Sequence, residues 1–295
     1  MNWYKDNKTR TFNIICYLFL GIFSIFCLMP FVLVVVASIT QESDITKFGY
    51  SLIPKHISFE AYKLLLSSKS EIVNAYMVTI FITVVGTLTG LLMMSMSSYV
   101  MNRKDFKNRN KFAFYVYFTT LFNGGLVPFY ILMVKYLQLK DNILAMILPG
   151  LVSAWSIFLM RNFMKSIPDS LYESAKIDGA GDFRIYLQII MPLSLPAIAT
   201  IGLFQALGYW NEWYNALLYI QTPSKYPLQY FLQNMMAAAN VNNLVRMGAS
   251  VDATKIPTES LKMATAVIVT GPVILLYPFL QKYFVSGLTM GAVKG

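Results

Sequence analysis

The feature that most constrains this chain is a set of six long apolar runs. Each contains about 18 consecutive residues without Asp, Glu, Lys or Arg, close to the length that a helix needs to cross a bilayer. Only helices and closed barrels satisfy their backbone hydrogen bonds in lipid, and these runs lack the alternation of barrel strands. The sequence therefore predicts an all-α polytopic membrane protein with six transmembrane helices, over residues 13–38, 73–100, 112–134, 142–160, 189–220 and 263–281.

Composition and charge agree with a membrane protein. Only 13% of the residues are charged, whereas a soluble domain carries about 25%. The net charge of +10 is concentrated in four segments that six spans would place on one side: 1–12, 101–111, 161–188 and 282–295. These segments hold 14 of the 24 basic and 6 of the 14 acidic residues, a net charge of +8. Because short basic loops stay in the cytoplasm, both termini are predicted to be cytoplasmic, and no nucleic-acid partner is expected.

A polar segment separates the fourth apolar run from the fifth. It carries eight charged side chains, and each would cost about 2.5–3.5 kcal/mol at the centre of a bilayer. The segment is therefore predicted to lie outside the hydrocarbon, on the cytoplasmic side. Its charged residues are Arg161, Lys165, Asp169, Glu173, Lys176, Asp178, Asp182 and Arg184.

The order of residues in this segment predicts two short helices joined by a turn. Pro168 suits the first turn of a helix, since it has no N–H to leave unsatisfied, and residues 169–177 are good helix formers. Gly179 can take the left-handed conformation that ends a helix, and Asp182 can cap a second helix. From the residues alone, an ordinary amphipathic cytoplasmic loop remains the alternative.

The same segment resembles the EAA loop of permease subunits in ABC importers. The family pattern is Glu-Ala-Ala, three residues, Gly, nine residues, Ile, any residue, Leu, Pro. The chain departs from this pattern mildly at Ser174 and Met191 and matches it at Glu173, Ala175, Gly179, Ile189 and Pro192. Further stretches resemble the carbohydrate-uptake branch, above all permeases for complex oligosaccharides: NGGLVPFY (123–130), ILPGLVSAW (147–155), YWNEWYNALLY (209–219) and GLTMGAVKG (287–295).

The resemblance implies the type I ABC importer permease fold, with a cytoplasmic N-terminus at 1–12 and one transmembrane permease domain at 13–295. In that family the EAA loop forms a coupling helix that seats in a groove of a cytoplasmic ATPase. The implied coupling loop spans about 165–188, and a cytoplasmic tail at about 284–295 would also contact the ATPase, through Lys294 and Gly295. The residues expected to couple are Leu171, Glu173, Ser174, Ala175, Asp178, Gly179, Ala180 and Phe183.

One face of the first short helix is expected to be the docking surface. Leu171 and Ala175 lie four residues apart and therefore share a face. Small side chains there would let the surface of another protein approach closely.

The resemblance also implies an assembly in the plasma membrane of a bacterium. Its other members would be a second homologous permease, an ATPase dimer and an extracellular sugar-binding protein or lipoprotein, importing an oligosaccharide by alternating access. The chain has no G-x-x-x-x-G-K-[ST] phosphate loop and no catalytic cluster, so we expect no enzyme activity and no bound cofactor. ATP and Mg would be bound by the ATPase subunits, and membrane lipid would surround the spans.

The stretch YWNEWYN, near the outer end of the fifth run, is the predicted substrate path. Aromatic faces stack on sugar rings, and Asn or Glu side chains bond to hydroxyl groups. An interfacial belt of Trp and Tyr, common to membrane proteins, is the alternative. The candidate residues are Tyr209, Trp210, Asn211, Glu212, Trp213 and Asn215.

Other functions stay open at this point. The same fold could carry amino acids, phosphate or a metal, and the chain could instead be a channel, an ion-coupled secondary transporter or a membrane enzyme. Secondary transporters usually keep ionisable residues at membrane depth, and the nearest such residue here is Glu212. The one histidine, His56, has no Cys or His neighbour in sequence, which argues against a metal ligand.

Overall fold

A computed structural model of the chain describes residues 7–67, 69–246 and 258–274. Within these ranges the regular structure is helical, and the only β-type pairing is an isolated antiparallel bridge between Thr40 and Ile57. The all-α fold class is therefore confirmed. The predicted tail contacts, Lys294 and Gly295, lie outside the described residues.

The helices range from single turns to a helix of 34 residues. In chain order they are α1 (Asn7–Ser38), α2 (Glu42–Phe48), α3 (Glu60–Ser67), α4 (Lys69–Asn102), α5 (Arg109–Leu121), α6 (Leu126–Ile131), α7 (Leu144–Ile147), α8 (Ala154–Met164), α9 (Asp169–Ile177), α10 (Asp182–Ile185), α11 (Met191–Leu193), α12 (Leu195–Trp210), α13 (Tyr214–Tyr219), α14 (Leu228–Arg246) and α15 (258–274). A π-helical turn, Tyr186–Ile190, joins α10 to α11, and another, Leu132–Tyr136, continues α6.

Two of these helices are long and apolar enough to cross a membrane without a break. They are Arg10–Ser38 within α1 and Ser70–Asn102 within α4, and they coincide with the first two predicted spans. The apolar side chains of α1 are mostly exposed, as expected for a helix whose neighbour is lipid.

The next three predicted spans are bent pairs of helices rather than single straight helices. The bends measure 114°, 49° and 80°. The sixth predicted span is described only as far as residue 274, where it is helical. The three bent pairs are Arg109–Leu121 with Leu126–Tyr136, Leu144–Gly150 with Ala154–Met164, and Asp182–Leu193 with Leu195–Trp210.

Residues that end or start helices explain these breaks. Gly125 takes a positive φ of 85° between α5 and α6. The Ser153 hydroxyl accepts a hydrogen bond from the Ser156 N–H and so starts α8 anew. Pro192 and Pro196 flank the third bend, and each fits the first turn of a helix but not its interior. Long apolar runs predicted where the apolar helices lie in the sequence, but they did not predict that three of the spans are bent.

The described residues fall into two compact units. The first lies within Met1–Lys69 and Asn234–Pro272. In it the buried Glu42 carboxylate accepts hydrogen bonds from the Ser260 backbone N–H and hydroxyl, both at 2.9 Å. The Glu259 N–H donates to the same carboxylate at 2.9 Å. A distant acidic residue therefore caps the start of α15, where the helix dipole favours negative charge.

The second unit lies within Ser70–Gln233 and Val273–Gly295 and contains the candidate site. Its largest described core joins α4, α8 and the segment after α9. The buried Tyr186 hydroxyl lies 2.6 Å from the Ser95 hydroxyl on α4, and the Ser98 hydroxyl donates to the Ile157 carbonyl at 2.9 Å. The core residues include Met94, Met101, Ile157, Met160, Met164, Ala175, Ile185 and Tyr186.

Candidate functional site

The predicted coupling segment folds as two helices joined by a glycine turn. After α9 the Ala180 N–H donates to the Ala175 carbonyl at 2.9 Å, and the Gly179 N–H donates to the Lys176 carbonyl at 3.0 Å. Together these bonds form the Schellman arrangement, which needs a left-handed residue. Gly179 supplies it with a φ of +79°. The prediction that Gly179 ends the helix in this conformation is confirmed.

Two details at the helix starts differ from the prediction. Pro168 is the extended residue before α9 rather than a member of its first turn, which Asp169 opens. Gly181, not Asp182, is the extended residue before α10. Asp182 is the first helical residue, and its carboxylate accepts a hydrogen bond from the Tyr172 hydroxyl at 2.8 Å. Side-chain contacts with α9 therefore replace the predicted cap.

The orientation of α9 corrects the predicted docking face. Ala175 is buried in the core of its own chain, so it does not offer a surface to another protein. Its small side chain instead lets α9 pack closely on the core. Leu171 is exposed, as are the polar residues Glu173, Ser174 and Asp178.

Two apolar side chains are the most exposed of their kind in this segment. Ile177, the last residue of α9, is 88% exposed, and Phe183 is 61% exposed. Phe183 was among the predicted coupling residues, but Ile177 was not. The signal for Ile177 was present in the sequence, since an isoleucine in a charged segment next to a helix-ending glycine has few packing partners.

A cationic side chain from another loop holds the coupling segment in place. The Arg103 guanidinium carbon lies 3.3 Å from the ring centre of Tyr172, a cation–π contact. Arg103 also pairs with Asp105 and lies 3.5 Å from the Asp182 carboxylate, and its side chain is only 11% exposed. Lys176 adds a second ion pair with Asp182 at 3.1 Å. The basic segment 101–111 was predicted only as an orientation signal, so this contact was missed.

A second ion pair joins the same loop to the start of α9. The Lys104 Nζ lies 2.5 Å from the Asp169 carboxylate, and this hydrogen bond raises the pKa of Lys104. The hydrogen bond from Arg103 lowers the pKa of Asp105. Both shifts favour the charged forms of Lys104 and Asp105, and the loop after α4 and helix α9 are joined by ionic contacts.

The predicted substrate path is split between buried and exposed residues. Tyr209 and Trp210 are buried, and the Tyr209 hydroxyl donates to the Ile147 carbonyl at 2.7 Å. The Trp210 ring lies 6.4 Å from the ring of Tyr76. Both rings therefore pack between helices in this structure, and their place in a substrate path stays a prediction.

The polar residues of this stretch form hydrogen bonds in the connection between α12 and α13. The Glu212 carboxylate accepts hydrogen bonds from the Asn215 backbone N–H and side-chain amide, both at 2.8 Å. The Asn211 amide donates to the Leu207 carbonyl at 2.8 Å, and Trp213 keeps an exposed ring. Some polar side chains of the predicted path therefore stabilise the connection between the two helices.

An open cleft lies beside this stretch and includes residues that sequence reasoning missed. The exposed rings of Trp155 and Phe204 meet edge to face at 6.3 Å. The Gln205 amide lines the same cleft and donates to the Gly150 carbonyl at 2.9 Å. The cleft is lined by Gly150, Ser153, Trp155, Ser156, Phe204, Gln205, Gly208, Tyr209 and Glu212. Aromatic rings and polar groups suit hydroxyl-rich ligands.

Residues 107–290 match the family of binding-protein-dependent transport system inner membrane components. The chain belongs to this family. It is 39% identical to the polygalacturonan/rhamnogalacturonan transport system permease protein YtcP of Bacillus subtilis (strain 168), across 98% of this chain and 100% of that protein. It is 30% identical to the galactooligosaccharides transport system permease protein GanQ of the same organism, across 98% of this chain and 99% of the other.

A solved structure is similar over almost the same length. It is a chain of a bacterial ABC transporter involved in the import of the acidic polysaccharide alginate, 33% identical, with a TM-score of 0.79. The match covers 96% of this permease and 100% of that chain. The permease is therefore an integral membrane protein with the fold that the EAA resemblance implied. The comparisons do not favour a channel, an ion-coupled transporter or a membrane enzyme.

Proposed function

We propose that this permease is one of two transmembrane subunits of an ABC importer for an oligosaccharide. An extracellular binding protein delivers the sugar, a second homologous permease completes the passage, and a cytoplasmic ATPase dimer binds ATP and Mg and drives alternating access. The observation that carries the proposal is full-length similarity to carbohydrate permeases, joined to an EAA segment with the turn its pattern requires. Both termini lie in the cytoplasm in this proposal.

The coupling segment docks on the ATPase through its exposed residues. Ile177 and Phe183 offer the apolar contacts, Leu171 extends them, and Glu173 and Asp178 supply charge. Exposed ion pairs contribute only about 0–1 kcal/mol each, so the apolar side chains and the shape of the turn carry most of the affinity. Ser174 and Ala180 keep the surface beside the turn small.

Movement of α9 reaches the membrane helices through two contacts. The Arg103–Tyr172 stack ties α9 to the loop that follows α4. The Tyr186–Ser95 hydrogen bond ties the segment after the turn to α4 itself. Because close-packed cores transmit displacement rather than absorb it, α9, α4 and α8 move together when the ATPase dimer closes.

The sugar passes along the cleft beside Trp155 and Phe204. These rings supply surfaces for sugar rings, while Gln205 and Glu212 supply hydrogen-bonding groups. Tyr209 forms a wall of the cleft. Asn211, Trp213 and Asn215 are close in sequence to the lining residue Glu212, and we assign them to the rim. The second permease supplies the opposite side. The proposed tail contact of Lys294 and Gly295 with the ATPase rests on the resemblance alone.

Uptake by the reconstituted complex tests this proposal. The permease, its partner permease and the ATPase are placed in proteoliposomes with the binding protein, and labelled galactooligosaccharides, oligogalacturonates and amino acids are offered. We expect uptake of an oligosaccharide that requires ATP and the binding protein and is indifferent to ion gradients. Uptake of amino acids alone would support the non-sugar alternative, and uptake driven by a sodium or proton gradient without ATP would contradict an ABC importer.

A further inference from the structure

A polar cavity, separate from the cleft at Trp155, lies where three membrane helices end. Its wall includes the last residues of α4, the first residues of α5 and the last turn of α8. Candidate membrane spans begin or end at these points. The charged residues around this basic cavity are Lys104, Arg109, Arg161, Lys165 and Asp169.

The basic cavity has an excess of positive charge. Its single carboxylate, Asp169, is already engaged by Lys104 at 2.5 Å. Arg109, Arg161 and Lys165 form no ion pair within the part of the chain that the structure describes. Three cations therefore face one cavity without a counter-charge from the described residues.

One of these cations has a buried donor that lacks an acceptor. The Arg161 Nε is inaccessible to solvent and makes no hydrogen bond among the described residues. A buried N–H without an acceptor costs free energy, so the Arg161 side chain gains from any shift that brings this N–H to an anion in the cavity. Arg161 also lies in the last turn of α8, so its guanidinium is held at the end of a helix rather than on a mobile loop.

The first turn of α5 adds to the positive potential. Arg109 and Asn110 line the cavity, this turn has no acidic residue, and the preceding Asn108 makes no side-chain cap. The start of a 13-residue helix therefore leaves backbone N–H groups next to the three cations. Oriented N–H groups together with Arg side chains are a combination that binds phosphate.

We propose that the basic cavity binds the phosphate group of an anionic phospholipid. Its position at the ends of membrane spans brings it to the level of lipid headgroups, where basic pockets between helices bind anionic lipids. Helix α5 has no buried residue and exposes Phe112, Phe114 and Tyr115, which offers acyl chains an apolar surface beside the cavity. A free phosphate ion would satisfy the same cations but would not use this surface.

Native mass spectrometry of the intact purified transporter, titrated with phosphatidylglycerol or phosphatidylcholine, tests this site. The test variant combines Arg109→Gln, Arg161→Gln and Lys165→Gln, and the matched control is Lys107→Gln, an exposed residue of the same loop outside the cavity. We expect the wild type and the control to retain phosphatidylglycerol in preference to phosphatidylcholine. Retention should weaken about fivefold for each cavity cation removed. Equal retention by the triple variant and the control would overturn the proposal.

Two further measurements distinguish a bound lipid from the other possible ligands of the basic cavity, free phosphate and the ATPase. Inorganic phosphate is titrated in neutral lipid, and stabilisation by phosphate without retention of phosphatidylglycerol would overturn the lipid assignment. Loss of the ATPase from the triple variant with phosphatidylglycerol still bound would identify the cavity as a protein-docking site and overturn it as well. Lys165→Gln alone, at an exposed position, serves if the triple variant does not assemble, and about fivefold weaker lipid retention is expected.

Discussion

The coupling segment and the aromatic stretch at 209–215 were both singled out from sequence, and they differ in how they fold. At the glycine turn of the coupling segment the motif and the structure agree, because the pattern encodes a backbone requirement at Gly179. In the aromatic stretch the most conspicuous rings, Tyr209 and Trp210, are turned into the core. A motif that fixes backbone conformation is therefore easier to interpret than one that depends on which side chains remain accessible.

The largest effect should come from removing the left-handed residue at Gly179. The matched control changes the nearby Gly181, whose backbone is extended. Gly179→Val places a β-branched residue at φ +79°, whereas Gly181→Val stays in the extended region, and neither new Cβ meets another atom within 4 Å. Strain of about 1–3 kcal/mol at position 179 should lower sugar uptake about tenfold or more, with ATP hydrolysis uncoupled or the ATPase lost.

Gly181→Val should retain most of the uptake, and the ratio of uptake to ATP hydrolysis measures the difference. Similar loss in both variants would mean that the segment needs small side chains, not a left-handed residue.

The next prediction compares substitutions of a buried ring, Trp210, and an exposed ring, Trp155. Trp210→Ala leaves a cavity in the core, which costs about 3–5 kcal/mol, so the amount of folded permease in the membrane should fall. Trp155→Ala should leave that amount unchanged while the half-saturating sugar concentration rises about threefold to tenfold. Quantitative blotting and uptake kinetics measure the two quantities. Normal kinetics in Trp155→Ala would remove the cleft from the substrate path.

A smaller effect is expected from the contact that ties α9 to the loop after α4. Arg103→Ala removes the stack on Tyr172 and the pairs with Asp105 and Asp182, so the number of sugars moved per ATP should fall about threefold to tenfold. Lys107→Ala, with no described partner in an ion pair, serves as the control for lost charge. An unchanged ratio in Arg103→Ala would show that α9 acts on the spans without this contact.

The smallest effect should follow from Tyr172→Phe. This change keeps the ring under Arg103 and removes only the hydrogen bond to Asp182 at 2.8 Å. Because that bond is exposed, its loss should cost about 0.5–1.5 kcal/mol at most and lower the coupling ratio less than Arg103→Ala does. A loss as large as that of Arg103→Ala would assign the hydroxyl, not the stacked ring, as the main connection.

The sequence was sufficient for the properties that depend on local or bulk physics. Uncharged apolar runs predicted the all-α membrane fold, and the spacing around Gly179 predicted the helix–turn–helix segment. The sequence was insufficient for contacts between residues that are far apart in the chain. The burial of Ala175 and the contact of Arg103 with Tyr172 depend on which helices become neighbours, and no periodicity within one segment specifies that. The bends between helices depend on single residues such as Gly125, whose effect on direction is not visible in hydropathy.

Site-specific photo-cross-linking tests the central claim most directly. A benzoylphenylalanine is placed at Ile177 or, as the control, at Leu66, an exposed apolar residue that the predicted topology puts on the outer side. In the assembled transporter, illumination should link position 177 to the ATPase subunit and position 66 to no ATPase. An intact complex in which position 177 gives no ATPase product, or in which position 66 does, would contradict coupling through this segment.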